Sequence, residues 1–178
     1  EFKKMYGLNY EVVRNIAPLS KINQVDKKEK FILYQGAVNE GRSFETLIPA
    51  FNDINYKLII CGDGNFMEQA KLLVETNQLN DKVIFKGKIK PDELKAISQQ
   101  AYIGITLFEN KGLSNYYSLA NRFFDYLHAG IPQLCVNYPV NAEIISQLLI
   151  AVMNDDICAR SCCVQRNNIL ANDVLYNE

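Results

Sequence analysis

The stretch Phe31-Ile32-Leu33-Tyr34-Gln35-Gly36-Ala37-Val38-Asn39-Glu40-Gly41-Arg42-Ser43-Phe44 decides the fold. It opens on a continuous apolar run with no in/out alternation. Such a run suits a strand covered on both faces of a parallel sheet. Gly36 ends it, and Gly41-Arg42 leads into Ser43–Phe51, where Phe44, Leu47, Ile48 and Phe51 recur at helical spacing. Strand, glycine-bearing loop and helix in that order begin a right-handed crossover unit.

Outward from this unit the alternation repeats. Lys57–Cys61, Lys82–Phe85, Tyr102–Leu107, Gln133–Val136 and Leu149–Met153 read as further strands. Between them, Asn65–Glu75 carries apolar residues at helical spacing. Pro91-Asp92-Glu93 opens a helix, with proline in its favoured first turn and acids near the positive end. Ser118–His128 is helical, and Ala129-Gly130-Ile131-Pro132 stops it. The expected class is α/β, a Rossmann-like parallel sheet with helices on both faces. Lys21–Lys30 is polar and reads as a surface loop. There is no internal repeat or low-complexity segment.

Composition bounds the function. The 178 residues suit about one domain, and 48% apolar against 22% charged residues excludes intrinsic disorder. Nineteen Lys+Arg against twenty Asp+Glu give a net charge of −1, so no basic field recruits nucleic acid. The longest apolar runs fall far short of the ~20 residues a bilayer requires. Of the five cysteines, Cys61 and Cys135 lie in apolar runs and are expected as small buried hydrophobes, whereas Cys158, Cys162 and Cys163 crowd together. The odd number points to a reducing cytoplasm rather than a disulfide framework. No secretory signal opens the chain, and without an initiator Met it is expected to start inside a longer product or after a removed tag.

In open sheets of this kind ligands sit beyond the carboxyl ends of the strands. Gly36 and Gly41 permit close backbone approach, the following helix start offers free N–H groups, and Arg42 adds a planar cation suited to phosphate. A tight turn with a solvated arginine accounts for these residues equally well. Gly62-Asp63-Gly64 reads more readily as a turn than as a ligand loop. Gly87-Lys88-Ile89 lies on the same edge. In Asn121-Arg122-Phe123-Phe124-Asp125, the residues Asn121, Arg122 and Asp125 are helical neighbours. One reading is an Arg122–Asp125 ion pair. The other is a carboxylate accepting two ribose hydroxyls while the helix start faces a phosphate, favoured because Asp125 interrupts an apolar helix. His128, the only histidine, lacks partners for a triad and is expected in a structural or supporting role. Cys158-x3-Cys162-Cys163 is a poor metal motif, and no metal is expected.

Together these residues resemble the C-terminal, donor-binding half of a retaining glycosyltransferase of the GT-B fold, the bacterial glycosyl transferases group 1 type. Tyr34–Arg42 resembles the opening strand and phosphate loop, Lys57–Gly64 the Leu-Val-Ile-Val-Gly-Asp-Gly strand and turn, and Lys82–Ile89 with Pro91–Leu94 the segment beside the base. Asn121–Tyr126 with Gly130–Pro132 resembles the Asn-Lys-x-x-Glu-Tyr…Gly-x-Pro signature. The resemblance implies diphosphate binding by Gly36, Gly41, Arg42, Asn121 and Arg122, ribose binding by Asp125, and base contacts from the backbone of Lys88 and Ile89. It implies a nucleotide-diphosphate-sugar donor, no cofactor or metal, and a glycan, lipid-linked or small-molecule acceptor held by another domain. Residues 1–30 would then be a connector from that domain plus a first strand at Val12–Asn15, and residues 31–178 the donor domain. The full-length protein would be cytoplasmic or peripheral at the inner membrane. Two family positions differ: the first of a common pair of glutamates falls at Tyr117, and a basic phosphate ligand falls at Ala37. No residue is assigned as catalytic. The alternatives are a sugar-nucleotide epimerase of the same fold and a non-catalytic nucleotide-binding module.

Ile157–Arg166 fits the family poorly where a helix is expected. One codon choice for Cys158–Arg166, read in a shifted frame, restores a helical peptide, so compensating frameshifts are expected and the cysteines have no function. In the chain as printed, those thiols are expected to lie in a helix.

Overall fold

The computed structural model describes residues 2–9, 11, 30–153 and 163–165. In chain order the elements are α1 (Phe2–Tyr6), β1 (Phe31–Gln35), α2 (Phe44–Ala50), β2 (Lys57–Cys61), α3 (Met67–Thr76), β3 (Val83–Gly87) and α4 (Pro91–Gln100). They continue with β4 (Ile103–Thr106), α5 (Leu113–Tyr116), α6 (Asn121–His128), β5 (Gln133–Cys135), α7 (Pro139–Met153) and β6 (Cys163–Gln165). The strands form one sheet in the order β3-β2-β1-β4-β5-β6, and every pairing is parallel. This is the expected α/β class with a Rossmann-like sheet.

The order explains where a ligand fits. From β1 the chain winds outward through β2 to β3, then crosses back to place β4 on the other side of β1. The loops after β1 and β4 therefore leave in opposite directions and open a crevice at the carboxyl edge.

Alternation along β1 divides the core. Ile32 and Tyr34 face a cluster with Phe44, Leu47, Ile48 and Phe51 of the α2 region and Ala70 and Val74 of α3. Phe31 and Leu33 face Tyr126 of α6, together with Ala101, Ala129, Ile131 and, from α4, Leu94 and Ile97. All five β1 residues are buried, which is why Phe31–Tyr34 reads as an unbroken apolar run. Each fully buried large side chain contributes roughly 1.5–3 kcal/mol. A third cluster of Phe123, Cys135 and Ile145, with Leu119, Phe124, Leu127 and Ile144 around it, seats α6 and α7 on β5.

Cys61 and Cys135 are buried, as the sequence implies. Burial pushes the Cys61 thiol up to about 11, so at neutral pH it is an inert small hydrophobe.

Two sequence expectations are overturned. Leu149–Met153, read as a strand, is the last part of helix α7. A short apolar run does not distinguish a buried strand from a buried helix, and here it continues unbroken from Pro139 in the first turn. Cys163, expected in a helix, lies in β6, paired parallel with β5. Val12–Asn15, Cys158, Cys162 and, apart from Cys163–Gln165, the rest of Ile157–Arg166 lie outside the described residues, as does Lys21–Lys30 apart from Lys30. Short α5 was not anticipated. Among the described residues no helix is long and apolar enough to cross a membrane.

Gly104 of β4 is essential to this packing, because a Cβ there would come within 2.5–2.7 Å of the buried Tyr126 ring. Gly104→Ala is expected to destabilise the fold by about 1–3 kcal/mol through overpacking. Chemical denaturation checks this, and an unchanged midpoint would show that α6 yields freely.

Candidate functional site

The crevice between β1 and β4 is organised by Gln35, the last residue of β1 and almost completely buried. Its side-chain amide donates to Asp125 Oδ2 at 2.8 Å, and its Oε1 accepts from Ser98 Oγ of α4 at 2.7 Å. Its backbone N–H donates to Tyr126 Oη at 3.1 Å, and its carbonyl accepts from Arg122 Nη1 at 2.9 Å. The Tyr126 hydroxyl in turn donates to the Leu33 carbonyl at 3.1 Å. One strand end thus positions Arg122, Asp125 and Tyr126 of α6.

Asp125 and Arg122 do not pair with each other; both turn to Gln35. The ion-pair reading of that motif is therefore set aside. The Asp125 carboxyl is half-buried, and desolvation raises its pKa above the usual value against the opposing effects of the Gln35 hydrogen bond and the His128 charge. His128 ends α6, one turn beyond Asp125.

Arg122 is 7% exposed. Its guanidinium lies 4.4 Å from the centre of the Tyr34 ring and 5.2 Å from that of Phe108. Its Nε is buried without a hydrogen-bond partner. Gly36 leaves the room beside it: its φ is 117°, and a Cβ there would lie 3.2 Å from Arg122 Nη1.

Arg42 approaches the same ring from the β1–α2 loop, 4.4 Å from the Phe108 centre, and donates through Nη1 to Asn115 Oδ1 of α5 at 3.1 Å. Its pKa is lowered first by burial and then by the charge of Arg122. Among the described residues, neither arginine is in an ion pair; nearby Glu109 is engaged by Lys111. Two cations around one aromatic ring, with no carboxylate between them, form a cationic cluster suited to a multiply charged anion.

The neighbouring loops support this floor. Gly62 donates to the Gly87 carbonyl at 2.7 Å and passes so close to Gly36 that a Cβ would overlap the Gly36 carbonyl. Val38 N–H donates to the Asp63 carbonyl, and Asn65 N–H to Asn39 Oδ1. Gly62-Asp63-Gly64 is thus a turn packed against its neighbour, the preferred sequence reading. Lys88 and Ile89 follow β3 on the same edge. The Lys88 ammonium pairs with Asp63 at 3.6 Å, and Ile89 packs toward the α4–α6 core.

Of the residues singled out by sequence, the structure gathers Gly36, Gly41, Arg42, Arg122 and Asp125 around this crevice. Asn121 opens α6 and is exposed; Lys88 and Ile89 stand on the adjacent loop. Tyr117, 46% exposed, follows α5 and rests edge-on against Tyr116. The Ala37 carbonyl accepts from Tyr34 Oη. Sequence reasoning missed Gln35, Phe108 and Asn115. A polar residue closing the apolar β1 run was the available signal for Gln35. Among the described residues, no group of three or more His, Cys, Asp or Glu is placed to hold a metal.

Residues 15–153 match the family described as glycosyl transferases group 1. Over 114 residues the chain is 26% identical to the alpha-monoglucosyldiacylglycerol synthase of Streptococcus pneumoniae (strain ATCC BAA-255 / R6), covering 60% of this chain and 26% of that protein. A glycosyltransferase of avilamycin A biosynthesis superposes with a TM-score of 0.57 at 15% identity, over 67% of this chain and 36% of that one. Anabaena HepE in complex with UDP-glucose gives 0.55 at 12% identity, over 71% and 38%. The chain spans well under half the length of each.

Because the folded Asp125 carboxyl holds its proton more tightly than the unfolded one, the native state binds more protons as this group titrates. Its contribution to stability therefore falls as pH rises from the unfolded pKa through the folded one. Asp125→Asn should keep the Gln35 hydrogen bond and leave stability at pH 7 unchanged or higher, with a flatter acid limb. Denaturation midpoints across pH 3–7 check this; a marked loss at pH 7 would make Asp125 a structural residue.

Proposed function

The chain belongs to the glycosyl transferases group 1 family, and on that premise we propose that residues 31–178 are the nucleotide-sugar-binding domain of a retaining glycosyltransferase of the hexosyltransferase type. The observation that carries this reading is the pair of arginines around Phe108 at the crevice between β1 and β4. A nucleoside diphosphate is an anion of matching charge. The unsatisfied Nε of Arg122 needs such an acceptor.

In this reading Arg42 and Arg122 hold the diphosphate, with Gly36 and Gly41 giving backbone access and Asn121 standing at the start of α6. Asp125 accepts the two ribose hydroxyls. The backbone at Lys88 and Ile89 meets the base. The UDP-glucose bound by the Anabaena neighbour supports a donor of this class. The sugar–phosphate bond breaks toward the diphosphate, and the fixed guanidiniums stabilise the charge that accumulates there. The arginine pair supplies that positive charge without calling on a metal. The acceptor, a glycan, a lipid-linked sugar or a small molecule, falls to a separate domain, with residues 1–30 as the connector and a first strand. The protein acts in the cytoplasm or at the inner face of the membrane.

Calorimetric titration with UDP-, GDP- and ADP-sugars tests the reading. One base should bind, and Asp125→Ala should weaken it by about 1–3 kcal/mol, the worth of hydrogen bonds to a charged acceptor. Absence of binding at millimolar nucleotide would contradict it. The chain by itself should transfer no sugar, since nothing in this reading holds an acceptor against the donor. Turnover measured with the isolated chain would refute that division of labour.

A further inference from the structure

The two guanidiniums are held in position by neutral groups. Arg122 is held by the Gln35 carbonyl and the rings of Tyr34 and Phe108; Arg42 is held by Asn115 Oδ1 and the ring of Phe108. A carboxylate in any of these places would fix the arginine equally well but cancel its charge.

Asn115 is the least expected of the set. It sits on the four-residue helix α5, in a segment with no recognisable motif. Two further contacts bind that segment to the Arg42 loop. Glu109 N–H donates to the Gly41 carbonyl at 2.9 Å, and a Cβ on Gly41, whose φ is 75°, would lie 2.9 Å from Asn115 Nδ2. Glycine at 41 therefore leaves room for Asn115 to reach Arg42. The Phe108 ring that both cations share is buried, and its carbonyl accepts from Tyr138 Oη at 3.0 Å.

We propose that Asn115 is a positioning residue for diphosphate recognition: it anchors Arg42 beside Arg122 through one uncharged hydrogen bond, so that both charges remain available to the ligand. The inference rests on the donor reading above. It assigns Asn115 a role toward the phosphates alone, with none toward base or ribose. Asn115 thereby sets the preference for a nucleoside diphosphate over the nucleoside.

The test uses this chain and the nucleoside, its monophosphate and its diphosphate for uridine, guanosine and adenosine, titrated by calorimetry at two salt concentrations. Asn115→Asp places a carboxylate on Arg42. It is expected to weaken the diphosphate at least about tenfold and to flatten its salt dependence, because one of two cations is neutralised. Nucleoside affinity and the thermal midpoint should stay at wild-type values. Asn115→Ala frees Arg42 without neutralising it and should give a smaller loss with the wild-type salt slope. A merely structural role predicts instead that nucleoside and diphosphate weaken together. That result, or diphosphate binding unchanged in Asn115→Asp, overturns the proposal. If the wild-type chain binds no diphosphate at all, the donor reading fails first and the proposal with it.

Discussion

The hydrogen bonds around Gln35 are the constraint on which the site depends. One buried residue engages Arg122, Asp125 and Tyr126 of α6 and Ser98 of α4, using both its backbone groups and both its side-chain polar atoms. A buried amide is tolerated only when its polar atoms are satisfied, and a partly satisfied network is worse than an apolar core. The partners of Gln35 are therefore fixed together or not at all. The helix bearing the candidate phosphate and ribose ligands is thereby registered against the strand end from which the β1–α2 loop departs. Gly104 completes the arrangement from β4, by letting the Tyr126 ring lie where its hydroxyl can reach the backbone of β1.

From that registration follows an electrostatic situation that costs stability on its own. Burial penalises the Arg42 charge, and repulsion from Arg122 beside the same ring adds to that penalty. Asp125 is held partly out of water, and that desolvation outweighs the Gln35 hydrogen bond and the His128 charge. Such unrelieved groups are uncommon where stability alone is selected, and they cluster where a ligand relieves them. The turn at Gly62–Gly64, by contrast, has its close approaches filled by Gly36, Val38 and Asn39.

Much of this was legible in the sequence, for identifiable reasons. The strands β1 and β2 announced themselves because burial on both faces demands continuous apolar runs. Pro91 with two acids marked α4, and the glycines after β1 marked the β1–α2 loop. The run Leu149–Met153 misled because its composition suits either a buried strand or a buried helix, and only the chain before it decides. The spacing of Arg122 and Asp125 left an ion pair open as the alternative, because spacing on a helix shows which side chains are neighbours but not that a third residue, 90 positions from Asp125 in sequence, competes for both. Phe108 and Asn115 were invisible because their importance lies in what the β4–α6 segment meets across the crevice, and no local pattern encodes a partner on another loop.

A crystal structure of this chain with the tightest-binding nucleoside diphosphate tests the central claim most directly. The account predicts phosphate oxygens within hydrogen-bond distance of Arg42 and of Arg122, including its now unpartnered Nε, and the ribose diol on Asp125, with Gln35 unmoved. A nucleotide seated elsewhere, or one whose phosphates leave Arg122 untouched, would contradict it.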